Sequence, residues 1–81
     1  MDINEVREEV KKELISQRSR NEDSTIPFLC QKLGIGNEFD VITAIGDLEI
    51  TGEIVLTGFK TVYREDGGAI HLAKYSGNTN Q

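Results

Sequence analysis

The stretch from Val41 to Tyr75, VITAIGDLEITGEIVLTGFKTVYREDGGAIHLAKY, constrains the fold more than any other part of the chain. Apolar residues first recur at helical spacing (Val41, Ala44, Ile45, Leu48), and the pattern stops at Gly52. A glycine there can take the left-handed backbone that closes a helix. Two short runs of strand-forming residues follow, separated by Asp66-Gly67-Gly68. A helix, a glycine stop and a tight hairpin in that order predict an α+β domain.

The residues before Val41 supply two more helices. Asp2 is a good N-cap, and Glu5 three residues on completes a capping-box pattern. Ile3, Val6, Val10 and Leu14 make one apolar stripe, which either packs on the domain core or pairs two copies of the chain. Asn21 to Ser24 reads as a polar loop, and Thr25-Ile26 as a short β-bridge. Pro27 suits a first helical turn, where its missing N–H costs nothing. Phe28, Leu29 and Leu33 then predict a short second helix, ended by Gly34-Ile35-Gly36. Asn37 caps a third helix running to about Thr51, with Asp40 favouring its positive end.

In the hairpin, Asp66-Gly67 is a strong two-residue loop signal. It would set Tyr63 opposite Ile70 and Thr61 opposite Leu72. Phe59, Tyr63, Ile70 and Leu72 would then share one face, with Lys60, Val62, Arg64 and His71 on the other. A loop at Gly67-Gly68 would shift the pairing but keep those faces. The reading is one domain over residues 1–75 and a disordered polar tail over 76–81.

PFLCQKLGIG as second helix and turn, VITAIGDLEITGEI as third helix, and the hairpin from Tyr63 to Tyr75 together resemble the winged helix-turn-helix superfamily over nearly the whole chain. The resemblance implies an α+β winged helix, three helices followed by a two-stranded antiparallel wing. It also implies a DNA-binding transcription regulator, with the third helix in the major groove and the wing on the backbone. Those roles would fall on Asn37, Thr43, Lys60 and Arg64.

Charge argues against that task. The 81 residues carry a net −5, and residues 21–53 alone carry −6, with Lys32 as their single base. Lysine and arginine on phosphates supply most non-specific DNA affinity. The outward side of the third helix holds Phe39, Thr43, Gly46 and Ile50, flanked by Ile42 and Asp47, and has no Arg, Lys, Gln or Asn. Only Asn37, at the cap, is of the type that pairs with adenine. The wing tip sets one base, Arg64, against Glu65 and Asp66.

Phe39, Ile42, Gly46 and Ile50 instead form a second apolar stripe, with a helix-weakening glycine at its middle. Such a stripe on a small domain is a candidate contact with a partner protein or a second copy. The alternative is that Phe39 and Ile42 tuck into the core edges, leaving only Ile50 exposed. Protein contact through this face is therefore the first functional expectation, and DNA binding the second.

Nothing points to catalysis or to a cofactor. His71 is the only histidine and Cys30 the only cysteine, so neither an intrachain disulfide nor a cysteine-paired zinc site can form. Cys30 reads as a buried small hydrophobe; a redox-sensing thiol would want exposure and a basic neighbour, and only Lys32 is near. Adjacent acids such as Glu8-Glu9 and Glu65-Asp66 splay and make poor acid/base pairs. Gly67-Gly68 opens no helix and is no phosphate loop. No apolar run approaches a membrane span, the charged N-terminus lacks a signal-peptide core, and a reducing cytoplasm is the default setting. No small-molecule site is evident.

Overall fold

The structure is a computed structural model that describes residues 1–78. Helix α1 (Ile3–Ser19) leads through strand β1 (Ser24–Thr25) into α2 (Ile26–Leu33) and α3 (Glu38–Ile50). Strands β2 (Ile54–Tyr63) and β3 (Ala69–Gly77) complete an α+β domain. No helix among the described residues is long and apolar enough to cross a membrane.

Each helix starts where its cap chemistry allows. The Asp2 carboxylate accepts from the Glu5 backbone N–H at 2.9 Å, and Asn37 Oδ1 accepts from Phe39 N–H at 3.1 Å. Thr25 caps α2, its hydroxyl oxygen accepting from Phe28 N–H at 3.4 Å. That cap places Ile26 and Pro27 in the first helical turn. The short strand is therefore Ser24–Thr25, not Thr25-Ile26 as the sequence pattern suggested.

The core is one cluster. Val6, Val10 and Leu14 of α1 pack with Leu29, with Val41, Ala44, Ile45 and Leu48 of α3, and with Ile54 at the start of β2. Three of the four residues of the α1 stripe are thus consumed within the chain rather than left to pair two copies, while Ile3 at its start stays exposed. Gln17, past the point where that stripe fades, is also buried. It donates to Glu13 at 2.8 Å, and its side-chain oxygen accepts from the Ser24 hydroxyl. A buried amide is tolerable only with such partners.

The sheet has three antiparallel strands in the order β1-β3-β2, not the two of an isolated wing. Ser24 pairs with Tyr75 and Thr25 with Lys74, so β3 is the central strand. Residues so distant in sequence meet only once the helices have packed, and no local pattern could signal the pairing. Strand β3 also runs through Ser76 and Gly77, which the sequence placed in a polar tail; of that tail, residues 79–81 lie outside the described residues.

The hairpin register corrects the two-residue loop. Tyr63 pairs with Ala69, Val62 with Ile70, Thr61 with His71 and Lys60 with Leu72. Gly67 N–H donates to Arg64 C=O at 3.1 Å, closing a turn after which Gly67 takes φ +89°. Arg64 N–H donates to Gly68 C=O at 2.7 Å, which leaves a three-residue loop, Glu65-Asp66-Gly67. Asp66 Oδ1 accepts from Gly68 N–H at 2.9 Å and holds it. An odd loop reverses side-chain parity across the pair. Ile70 and Leu72 therefore lie on the face of Lys60 and Val62, while Phe59, Thr61, Tyr63 and His71 share the other.

Strand β3 passes close against α1. A Cβ at Gly77 would come within 2.9 Å of the Ile15 backbone N and Cα. Neither backbone can give way cheaply, so Gly77→Ala is expected to destabilise the fold by about 1–3 kcal/mol, the usual range for overpacking. Urea unfolding checks this; an unchanged midpoint would refute the close approach.

Candidate interaction face on the third helix

Burial of Val41, Ala44, Ile45 and Leu48 decides which side of α3 faces outward. That side presents Phe39 at 76% exposure, Ile42 at 42% and Ile50 at 86%. Phe39 and Ile42 do not tuck into the core edges. Their spacing with Gly46 follows the three- and four-residue rhythm of one helical stripe. Nothing in the fold lies within 4 Å of a Cβ built at Gly46. The glycine serves no internal close approach, yet it weakens the helix by about 1 kcal/mol relative to alanine.

Two ion pairs anchor the helix from behind. Arg7 of α1 reaches Asp47 at 2.8 Å, and Lys11 reaches Glu53, just past α3, at 2.6 Å. Across residues 21–53, Glu22 is paired with Arg20 at 2.6 Å and Asp23 with Lys74 at 3.7 Å. Of the seven acids there, the three without an ion pair among the described residues are Glu38, Asp40 and Glu49, and all three belong to α3. Glu38 and Asp40 sit in the first turn, where the helix dipole favours them. Glu49 sits in the last turn, which the dipole disfavours for an anion, and no base stands there. The outward side of α3 is thus an apolar stripe with unneutralised acids on its flanks.

Of the residues implied for DNA contact, only Thr43 lies on the stripe itself. Asn37 is used by its capping bond. Thr43 is exposed on α3 among the apolar residues. Arg64 is held by Asp66 at 2.7 Å on the hairpin loop. Lys60 lies elsewhere, in a shallow groove of about 500 Å³ bordered by Arg20, Phe28, Lys32 and Lys74. Arg20 and Lys74 are committed there to acids, while Lys32 and Lys60 make no ion pair among the described residues. Lys32 of α2 and Lys60 of β2 come to border one groove only in the folded chain, and no local pattern relates them.

The remaining titratable groups carry no catalytic arrangement. Burial pushes the Cys30 thiol up, and nearby Glu38 adds to it, which keeps the sulfur protonated at neutral pH. That is the opposite of the low-pKa environment a reactive thiol needs. Burial also raises Tyr75, with Glu49 adding to the effect. His71 Nδ1 lies 3.0 Å from the Thr61 hydroxyl on an exposed face of the hairpin. Among the described residues no group of three or more His, Cys, Asp or Glu is placed to hold a metal ion.

The geometry defines a class before any relationship does: a small α+β domain of three helices and a three-stranded antiparallel sheet, with an apolar, acid-flanked helix face turned outward. No family model matches the chain, and no curated protein or solved structure does so either.

The anchor pair behind α3 has a pH signature. The hydrogen bond from Lys11, helped by the Thr51 hydroxyl, holds the Glu53 carboxyl below the usual carboxylate range, and the same contact raises Lys11. A depressed carboxyl contributes stability above its unfolded pKa and loses it as pH falls through the folded value. The raised amine contributes fully at neutral pH and loses its share only in strong alkali. From about pH 5 downward the parent chain should therefore lose stability more steeply than Glu53→Gln. Urea midpoints taken at successive pH values measure this, and parallel profiles would rule out the coupling.

Proposed function

We propose that this chain is a non-enzymatic winged-helix module that acts mainly through protein–protein contact, using Phe39, Ile42, Gly46 and Ile50 on the outward face of α3. The observation that carries this reading is the exposure of Phe39 and Ile50 on either side of a glycine that the fold does not use. A contiguous apolar patch on a small domain is the usual mark of an interaction site. The winged-helix assignment rests on element order: three helices leading into a long hairpin, with the second and third joined by a glycine turn. The added strand β1 against β3 is compatible with that order. The partner is another protein or a second copy of the chain.

Phe39→Glu combined with Ile50→Glu tests the reading. Both positions are exposed, so stability should stay within about 0.5 kcal/mol of the parent. Association, read by sedimentation and by crosslinking to co-purifying protein, should be lost. A folded double variant with unchanged assembly and partners would refute the docking face.

DNA binding is the second reading, as a transcription regulator using α3 and the wing. One observation favours it: Lys32 and Lys60, which make no ion pair among the described residues, border a groove beside the half-exposed Phe28, although Glu13, Glu22 and Asp23 line the same groove. Three unpaired acids on α3 oppose it, because contact with phosphate depends on releasing counterions to cationic side chains. Titration with random-sequence duplex should show no binding at low salt. Affinity that falls steeply as salt rises would replace the first reading with this one.

A further inference from the structure

We infer that the occupant of the α3 face is an amphipathic helix of a partner protein with lysine and arginine on its flanks, rather than a second copy of this chain. The inference rests on the docking reading above and adds the chemistry of what docks.

Three properties of α3 work against the isolated domain. Phe39 and Ile50 are left to water, Gly46 weakens the helix without serving any internal contact, and Glu49 opposes the dipole in the last turn. Local choices that conflict with the fold concentrate at functional positions. The same three properties agree with one another once a helix is laid along the face. From Phe39 to Ile50 the stripe runs about 16 Å, some three turns. Its one gap, at Gly46, is where two helix backbones could approach most closely, since open space stands above it. Extended or irregular partners gain nothing from a gap at that spacing.

Charge then selects among helices. Residues 38–50 contain four acids and no base, and Arg7 neutralises only Asp47. Glu38, Asp40 and Glu49 stand on both flanks of the stripe, near both ends of the helix. In a two-fold pairing of α3 with its own copy, both sets would meet across one apolar seam with no cation from either helix. Like charges across an interface suppress such pairing. A helix with basic flanks reverses the sign of every one of those contacts and gives Glu49 the cation that its turn lacks.

The test uses the full chain and three synthetic helical peptides of about 18 residues, long enough to cover the stripe. The first has a leucine stripe with Lys and Arg flanks. The second has the same stripe with Glu flanks, and the third has the basic composition with the stripe scrambled. Calorimetric titration at about 50 mM salt should show the first binding at least tenfold more tightly than either control. Glu38→Gln with Glu49→Gln should weaken it about threefold or more, and Ile50→Glu should abolish it. Equal binding of the scrambled peptide would reduce the effect to bulk charge and overturn the inference. Equal binding of the acidic peptide, still abolished by Ile50→Glu, would overturn the choice of occupant and leave the docking face standing. A dimer in sedimentation that Ile50→Glu dissociates would likewise replace the partner helix with a second copy. If Ile50→Glu alters neither peptide binding nor assembly, the docking face itself falls.

Discussion

The packing of α1 on α3 is the contact on which the rest of this structure depends. Val6, Val10 and Leu14 meet Val41, Ala44, Ile45 and Leu48 in one buried cluster, closed by Leu29 from α2 and Ile54 from β2. Once those faces are joined, the rotation of α3 about its axis is set. Everything on its other side, from Phe39 to Ile50, must then face away from the domain. The ion pairs Arg7–Asp47 and Lys11–Glu53 lie at the edge of the same seam and hold it from outside. Partly exposed pairs of this kind contribute little energy on their own, and their effect is one of orientation.

The same seam organises the sheet. Ile54 enters the core at the start of β2, and Gly77 at the end of β3 lies against the Ile15 backbone. The hairpin is therefore fastened at its open end, and Asn78 ties that end to the α3 exit by donating to Gly52 C=O at 3.0 Å and to Glu53 C=O at 2.9 Å. Its far end is exposed on both faces, with Phe59, Tyr63 and Ile70 all open to solvent. Strand β1, only two residues long, covers the outer edge of β3 and leaves β2 as the other edge. The Thr57 bulge in β2, where the pairing skips from Leu56 to Gly58, breaks that edge near its middle. Bulges of this kind discourage edge-to-edge pairing with other chains.

Charge is distributed with the same logic. Most acids in the middle of the chain have cations within reach, supplied by α1, by the end of β3 or by a near neighbour. Those left over are on α3, beside apolar residues that are also left over. A surface of this composition is poorly matched to a polyanion and well matched to a cationic amphipathic protein segment.

Much of this was legible in the chain itself. Capping residues and apolar spacing located all three helices, because those signals act within a turn or two. The outward stripe Phe39, Ile42, Gly46 and Ile50 followed from the inward one by simple rotation. What the chain could not show was decided over distance. Thr25 pairs with Lys74 only after two helices have folded back, and Lys32 and Lys60 line one groove only in the folded chain. The hairpin faces turned on a single residue: Asp66 and Gly67 fit a two-residue loop as readily as the last two positions of a three-residue one. The backbone bonds of Arg64 with Gly67 and Gly68 chose the longer loop and exchanged Ile70 and Leu72 between faces. Sequence alone therefore determined the three helices, the polarity of each and the presence of the hairpin. Tertiary structure decided the strand order, the register and which charges remain free, since each depends on contacts between residues that no local period relates.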